Sequence, residues 1–141
     1  MITDKKKLIT IITVVRNDKE NIKKTINSVL DQKDDDIEYI VIDGNSTDGT
    51  QEIIKNYSNN IDKFISEPDK NLYDAINKGL KLSSGHIIGI CLSGDHYKAG
   101  AFKTVENYFL KNPEADFFFG SIIRNYNAGP IIKQGFNRKR I

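Results

Sequence analysis

Residues Val41-Ile42-Asp43-Gly44-Asn45-Ser46-Thr47-Asp48-Gly49-Thr50 pass from a β-branched apolar run, through a loop of Asp, Gly, Asn and Ser, into a helical pattern. The run 37–42 reads as a strand. Asp48 with Gln51 three residues later has the form of a capping box, which predicts a helix through Tyr57. The same succession recurs on either side. A strand at 8–15 precedes a helix at 19–32 with Ile22, Ile26, Val29 and Leu30 on one face. After 43–57 come a short strand at 63–66 and a helix at 71–82, entered through Pro68-Asp69, with Leu72, Ala75, Ile76, Gly79 and Leu80 at helical spacing. A strand at 86–92, a helix at 99–110 with Phe102, Val105 and Phe109 inward, and a strand at 116–123 complete the pattern, which weakens beyond Arg124. Strands alternating with helices predict an α/β domain with a mostly parallel sheet flanked by helices.

The 141 residues (16.0 kDa) are the size of one domain, and 38% hydrophobic with 28% charged residues is an ordinary globular composition. Twenty-one Lys and Arg against nineteen Asp and Glu leave a net charge of +2, too little for nucleic-acid binding by bulk electrostatics. The one cysteine, Cys91, excludes an internal disulfide and a multi-thiolate metal site. The charged start and apolar run at 8–15 imitate a signal peptide, but Arg16-Asn17-Asp18 stands where a small-residue cleavage site belongs. No stretch approaches the ~18 apolar residues of a membrane span. The chain therefore reads as cytoplasmic, and its Asn45 and Asn56 glycosylation patterns as unused.

In an open α/β sheet, ligands bind beyond the carboxyl ends of the strands. Three such ends carry chemistry here: 13–17, 43–49 and 93–97. Asp43 and Asp95 suit hydrogen bonds to a base or ribose, or ligation of a hard cation beside phosphate oxygens. Taken singly, each is equally explained as a turn residue. No G-x-G-x-x-G follows the first strand, which removes a dinucleotide site. Gly44 and Gly49 have P-loop spacing, but Thr50-Gln51 replaces the required Lys and Ser or Thr. A receiver-like domain needs an acidic cluster after the first strand, where only Asp18 stands.

The segments 10–17, 25–32, 41–50 and 67–79, with the Asp43-Gly44-Asn45-Ser46-Thr47-Asp48-Gly49-Thr50 motif at their centre, resemble family 2 glycosyltransferases of the GT-A fold, in that family's order and spacing over residues 8–125. The resemblance implies that Thr13 and Val15 line the pocket for the donor's base, that Asp43 bonds the base, and that Asp69 lies at the same pocket. It implies that Asp95 binds the Mn²⁺ or Mg²⁺ bridging the donor's diphosphate. Gly94 stands where a ribose-binding carboxylate is usual. His96 adjoins the metal position, but consecutive side chains at a strand end point in opposite directions, which leaves Asp95 as the expected ligand. Thr47, Asp48 and Gly49 read as a helix cap, and Tyr73, Asn77 and Gly79 as packing and helix-end residues rather than pocket residues.

The activity so implied is inverting transfer of a sugar from a nucleotide-diphospho-sugar, commonly a UDP-sugar, to a sugar or lipid-linked sugar acceptor in polysaccharide biosynthesis, with peripheral membrane association of a full-length form. Relatives need roughly another hundred residues for the acceptor site and general base, so the chain reads as a single donor-binding domain, 1–141, whose acceptor half is missing and which is inactive alone. The alternative is a catalytically silent nucleotide-binding or interaction module of the same fold. Uncovered Phe117, Phe118 and Phe119 would favour a homodimer.

Overall fold

The computed structural model describes residues 7–118, 120–126 and 129–133. β1 (Ile9–Val15) and β2 (Ile37–Asp43) are buried along their whole length. Both strands are covered on their two faces, so neither alternate set of side chains meets water, and the polar members Thr10, Thr13 and Glu38 are buried with the rest. α1 (Ile22–Leu30) joins them, burying Ile22, Thr25, Ile26 and Val29. α2 (Thr50–Lys55) leads to the short β3 (Lys63–Ser66), α3 (Leu72–Leu82) to β4 (Ile87–Leu92), and α4 (Ala101–Lys111) follows.

The four strands form one parallel sheet in the order β3-β2-β1-β4. The chain therefore steps outward from β1 through β2 to β3, then crosses back to β4 on the other side of β1. Right-handed crossovers in opposite directions put α1 and α2 on one face and α3 on the other. α1 accordingly packs on β1 and α2, and α3 on β1 and β2. Under α3 lies a cluster of Ile12, Val14, Ile40, Ile42 and Ala75, with Ile65, Ile76, Leu82 and Leu92 against it. Gly79 lets α3 sit this close, for a Cβ there would come within 2.5 Å of Ile12. β4 is the outer strand of this sheet, and Ile88 and Ile90 are exposed.

Parallel sheet and flanking helices match the expectation; several details correct it. α3 turns Ala75 and Gly79 inward but leaves Leu72 and Leu80 more than a third exposed, so its apolar stripe is wider than the face it buries. A side-chain cap of this kind forms on α3 instead, where the N-cap Asn71 Oδ1 accepts from Asp74 N and Asp74 Oδ2 accepts from the N–H of Lys70, one residue before the cap. In α2 the N-cap is Gly49, and Gln51 donates to Ser46 O instead of closing a box with Asp48. The strand expected at 116–123 forms only from Ile122: β5 (Ile122–Tyr126) pairs antiparallel with β6 (Gly129–Lys133) in a separate two-stranded sheet. Of the expected phenylalanine run, Phe117 is exposed, Phe118 packs edge-on against Phe109, and Phe119 lies outside the described residues.

The four-stranded sheet belongs to a compact unit ending at Lys103, and the β5-β6 hairpin to a second unit beginning at Thr104. No helix among the described residues is long and apolar enough to cross a membrane.

Candidate functional site

Because all four strands run parallel, their carboxyl ends open on one edge of the sheet. Register places Val15 beside Asp43 and Asp43 beside Ser66, while Val14 pairs with Leu92 immediately before Ser93-Gly94-Asp95. The expected site residues Thr13, Val15, Asp43, Asp69, Gly94 and Asp95 thus gather along this edge, at or just past the strand ends. The reversal of strand order between β1 and β4, where such sheets bind ligands, falls beside Asp95.

Asp43 is fully buried. Its Oδ2 accepts from Ser46 N at 3.0 Å and Ser66 Oγ at 2.6 Å, and its Oδ1 accepts from Ser46 Oγ. Three of the roughly four acceptor positions of a carboxylate are therefore filled, and among the described residues no donor fills the remaining one on Oδ1. Thr13 turns its hydroxyl into the core against Tyr39 OH and is paired with strands on both sides, and Val15 is buried with its carbonyl accepting from Gly44 N, so neither presents a side chain at the edge.

The β1–α1 and β2–α2 loops are cross-stitched. Asn17 N donates to Ser46 Oγ, Thr47 N to Asn17 Oδ1, Asp18 N to Thr50 Oγ1 and Lys19 N to Asp48 Oδ2. Asp48 also accepts from Thr50 N and Oγ1, and these hydrogen bonds hold its carboxyl below the ordinary range. Thr47-Asp48 therefore binds two loops together as well as opening α2. Asn17 and Asn45 sit at positive φ, which asparagine tolerates better than most residues.

Asp69 is held from behind. Its Oδ1 accepts from Lys78 Nζ at 2.6 Å, and Lys78 also pairs with Glu67 at 2.9 Å, contacts that raise the Lys78 pKa. The other oxygen faces Gly44: a Cβ there would stand 3.0 Å from Asp69 Oδ2 and 3.3 Å from Arg16 Cβ and Cδ. Gly44 thus keeps open a space bordered by a carboxylate and an arginine stem. Arg16 is exposed, and among the described residues its guanidinium has no hydrogen bond or ion pair. Sequence reasoning missed Arg16 and Lys78; the only signal for Arg16 was its place directly after β1. Tyr73 and Asn77 are exposed on α3, and Gly79 is a packing residue.

Beyond β4, Gly94 takes φ +93°, a left-handed conformation that a ribose-binding Asp would adopt only with strain. A Cβ there would lie 3.9 Å from Asp18 Oδ2, so another carboxylate stands nearby. Asp95 and His96 are exposed, and the Asp95 carboxylate accepts no hydrogen bond among the described residues. Burial, and then the Asp95 charge, push the Cys91 thiol up to about 12, so it stays protonated at neutral pH. No group of three or more His, Cys, Asp or Glu side chains suited to a metal occurs among the described residues. One free carboxylate fits a hard cation that takes its other oxygens from a diphosphate and water, and does not fit a cation caged by protein alone.

A family model described as Glycosyl transferase family 2 matches residues 10–139. A putative teichuronic acid biosynthesis glycosyltransferase, TuaG of Bacillus subtilis (strain 168), is 30% identical over 135 residues, covering 93% of this chain and 53% of that protein. Among solved structures, S. aureus TarS in complex with UDP-GlcNAc superposes with a TM-score of 0.70 at 21% identity, over 75% of this chain and 32% of that one. The mannosyltransferase PcManGT from Pyrobaculum calidifontis, in complex with GDP-Man and Mn²⁺, gives 0.66 at 21% identity, over 80% and 34%. The chain thus spans about half the length of that curated relative and a third of those structures.

Proposed function

Because the chain belongs to glycosyl transferase family 2, we propose that it forms the donor-binding part of a metal-dependent, inverting glycosyltransferase of polysaccharide biosynthesis, with a UDP-sugar as donor. The observation that carries this reading is the Asp95 carboxylate, exposed and without a partner among the described residues at the reversal point of the sheet. Every other acidic side chain discussed at this edge is already engaged by the protein. The relative's role in teichuronic acid biosynthesis and the nucleotide-sugar and Mn²⁺ complexes of the fold neighbours support the same reading.

Asp43 offers its remaining Oδ1 position to a base N–H, and the β1 end supplies backbone groups beside it. Asp69, neutralised on one oxygen by Lys78, takes a donor from the base or ribose with the other. Arg16, unpaired above Gly44, supplies positive charge to the diphosphate. Asp95, with waters and phosphate oxygens, holds the Mg²⁺ or Mn²⁺, whose chemistry when bound is to offset the charge of the departing diphosphate. Inversion follows from in-line attack by an acceptor hydroxyl, sugar or lipid-linked, on the face opposite that diphosphate.

Calorimetric titration of UDP with Mn²⁺ or with chelator tests the proposal. UDP is expected to bind more tightly with Mn²⁺, and Asp95→Ala to remove that gain while keeping the metal-free affinity. A wild-type chain that ignores UDP, or an Asp95→Ala variant that keeps the full gain, would overturn it.

A further inference from the structure

Residues 93–100, which carry Asp95, form neither helix nor strand, and Asp95 itself is exposed. A ligand on an open loop would ordinarily be mobile, and a single carboxylate has no second protein ligand to fix its position. Here the loop and the start of α4 are tied to one polar edge of the first helix. Thr25 Oγ1, buried at 1% exposure, accepts from Gly94 N at 3.1 Å and donates to Asp95 O at 2.7 Å. One helical turn on, Ser28 Oγ accepts from Tyr97 N at 3.2 Å and donates back to Thr25 O. Just past the helix, Gln32 Oε1 accepts from Phe102 N at 3.4 Å while its amide donates to Ser28 O at 2.9 Å. Positions i, i+3 and i+7 share one helix face, so three side chains meet successive backbone groups of a segment some seventy residues away. Asp18, just ahead of α1, adds a fourth tie by accepting from Ser93 Oγ at 2.7 Å.

The Thr25 contact is the most specific. Its hydroxyl uses its proton and a lone pair on two backbone atoms that bracket the dihedral angles of Gly94 and Asp95, and so fixes the backbone from which the Asp95 carboxylate projects. Thr25 is also buried where this polar edge borders the apolar face of Ile22, Ile26 and Val29, a place where an aliphatic side chain would serve packing equally well. Its hydroxyl needs another reason, and the loop supplies one.

We propose that the polar edge of α1, Thr25 first and Ser28 second, is the positioning element for the metal-binding carboxylate of Asp95; this rests on the function proposed above. Thr25 is a positioning residue, since it touches the peptide backbone and neither donor nor cation. Its loss should therefore affect the metal-dependent part of nucleotide binding, as loss of a group orienting a metal ligand does, and spare the base-binding contacts at Asp43.

The test is the UDP titration, with Mn²⁺ and with chelator, on wild type, Thr25→Val, Thr25→Ser, Ser28→Ala and Asp95→Ala, each checked for folding by circular dichroism. Thr25→Val is expected to cut the Mn²⁺-dependent gain by about tenfold or more with metal-free affinity unchanged, and Thr25→Ser, which keeps the hydroxyl, to restore it. Ser28→Ala should show a smaller loss in the same quantity, and it carries the test if Thr25→Val does not fold. A full gain in the folded Thr25→Val and Ser28→Ala variants, or an equal loss with and without chelator, would overturn the inference while Asp95→Ala still abolishes the gain. If Asp95→Ala itself keeps the gain, the functional reading fails and takes the inference with it.

Discussion

Asp43 and Asp95 end the two strands that flank β1, yet their surroundings are opposite. Asp43 is enclosed by Ser46 and Ser66, which fill three acceptor positions, whereas Asp95 projects without a protein hydrogen bond among the described residues. Asp43 thus has a structural duty that Asp95 lacks, and substitutions should separate the two. Asp43→Asn replaces one acceptor oxygen by an N–H donor among groups that already donate, and Ser46 Oγ, which also accepts from Asn17 N, is poorly placed to adjust. Thermal or denaturant unfolding should show a loss of about 1–2 kcal/mol, and UDP affinity should fall equally with Mn²⁺ and with chelator. Unchanged stability would mean that the three-donor enclosure does not hold the loop. This difference was invisible in the sequence, where both residues read alike as Asp beside Gly at a strand end. It depends on Ser66, which reaches Asp43 only because β3 pairs with β2 in that register.

Among the elements, β2 carries a second buried acid, on the same strand as Asp43 but near its opposite end. Glu38 accepts from Thr10 Oγ1, Ser84 N and Lys63 Nζ, joining β1, β3 and the end of α3 to β2. Burial alone would raise its pKa above the ordinary 4.5, but the hydrogen bonds from Lys63, Thr10 and Ser84 outweigh it and hold the value lower. A carboxyl depressed in the folded state contributes stability that is complete above its unfolded value and is lost as pH falls through the folded one. Glu38→Gln should therefore be less stable than wild type at pH 7, by about 2 kcal/mol, and the gap should close on acidification below pH 4.5. Paired melts at pH 7 and pH 3 check this, and a gap of equal size at both would assign the loss to packing instead. The strands themselves were legible because β1 and β2 are rich in β-branched residues. The ties between elements were not: Thr25, Ser28 and Gln32 fall in a segment that carries the family resemblance, but no partner for them could be read until the fold brings backbone groups of residues 94–102 to them. Likewise the hairpin was hidden because Gly129-Pro130 reads as a break, and because the aromatic run ahead of it imitates a strand.

At the scale of the whole molecule, the edge that gathers Asp43, Asp69, Arg16 and Asp95 carries the groups proposed for a donor, and none of the described residues there is assigned to activating an acceptor. After Phe119 the ionisable side chains are Arg124, Tyr126, Lys133, Arg138, Lys139 and Arg140, none of which takes a proton from a sugar hydroxyl at neutral pH. The carboxylates with assigned places are committed: Asp43 is engaged by Ser46 and Ser66, Asp69 by Lys78, and Asp18 by Ser93 and Asn21, while the proposed function gives Asp95 to the cation. General-base assistance is worth ~10²–10⁴-fold and alignment of the acceptor a further large factor. These 141 residues, purified on their own, should therefore bind the donor without transferring its sugar at an appreciable rate. Incubation with UDP-sugars, Mn²⁺ and candidate acceptors, with UDP release measured with and without acceptor, decides the matter. Slow release that ignores the acceptor is expected, since water can attack a metal-bound donor unaided. Release that rises with acceptor and vanishes in Asp95→Ala would place a working base within these residues, and the division between donor binding here and acceptor activation elsewhere would fall.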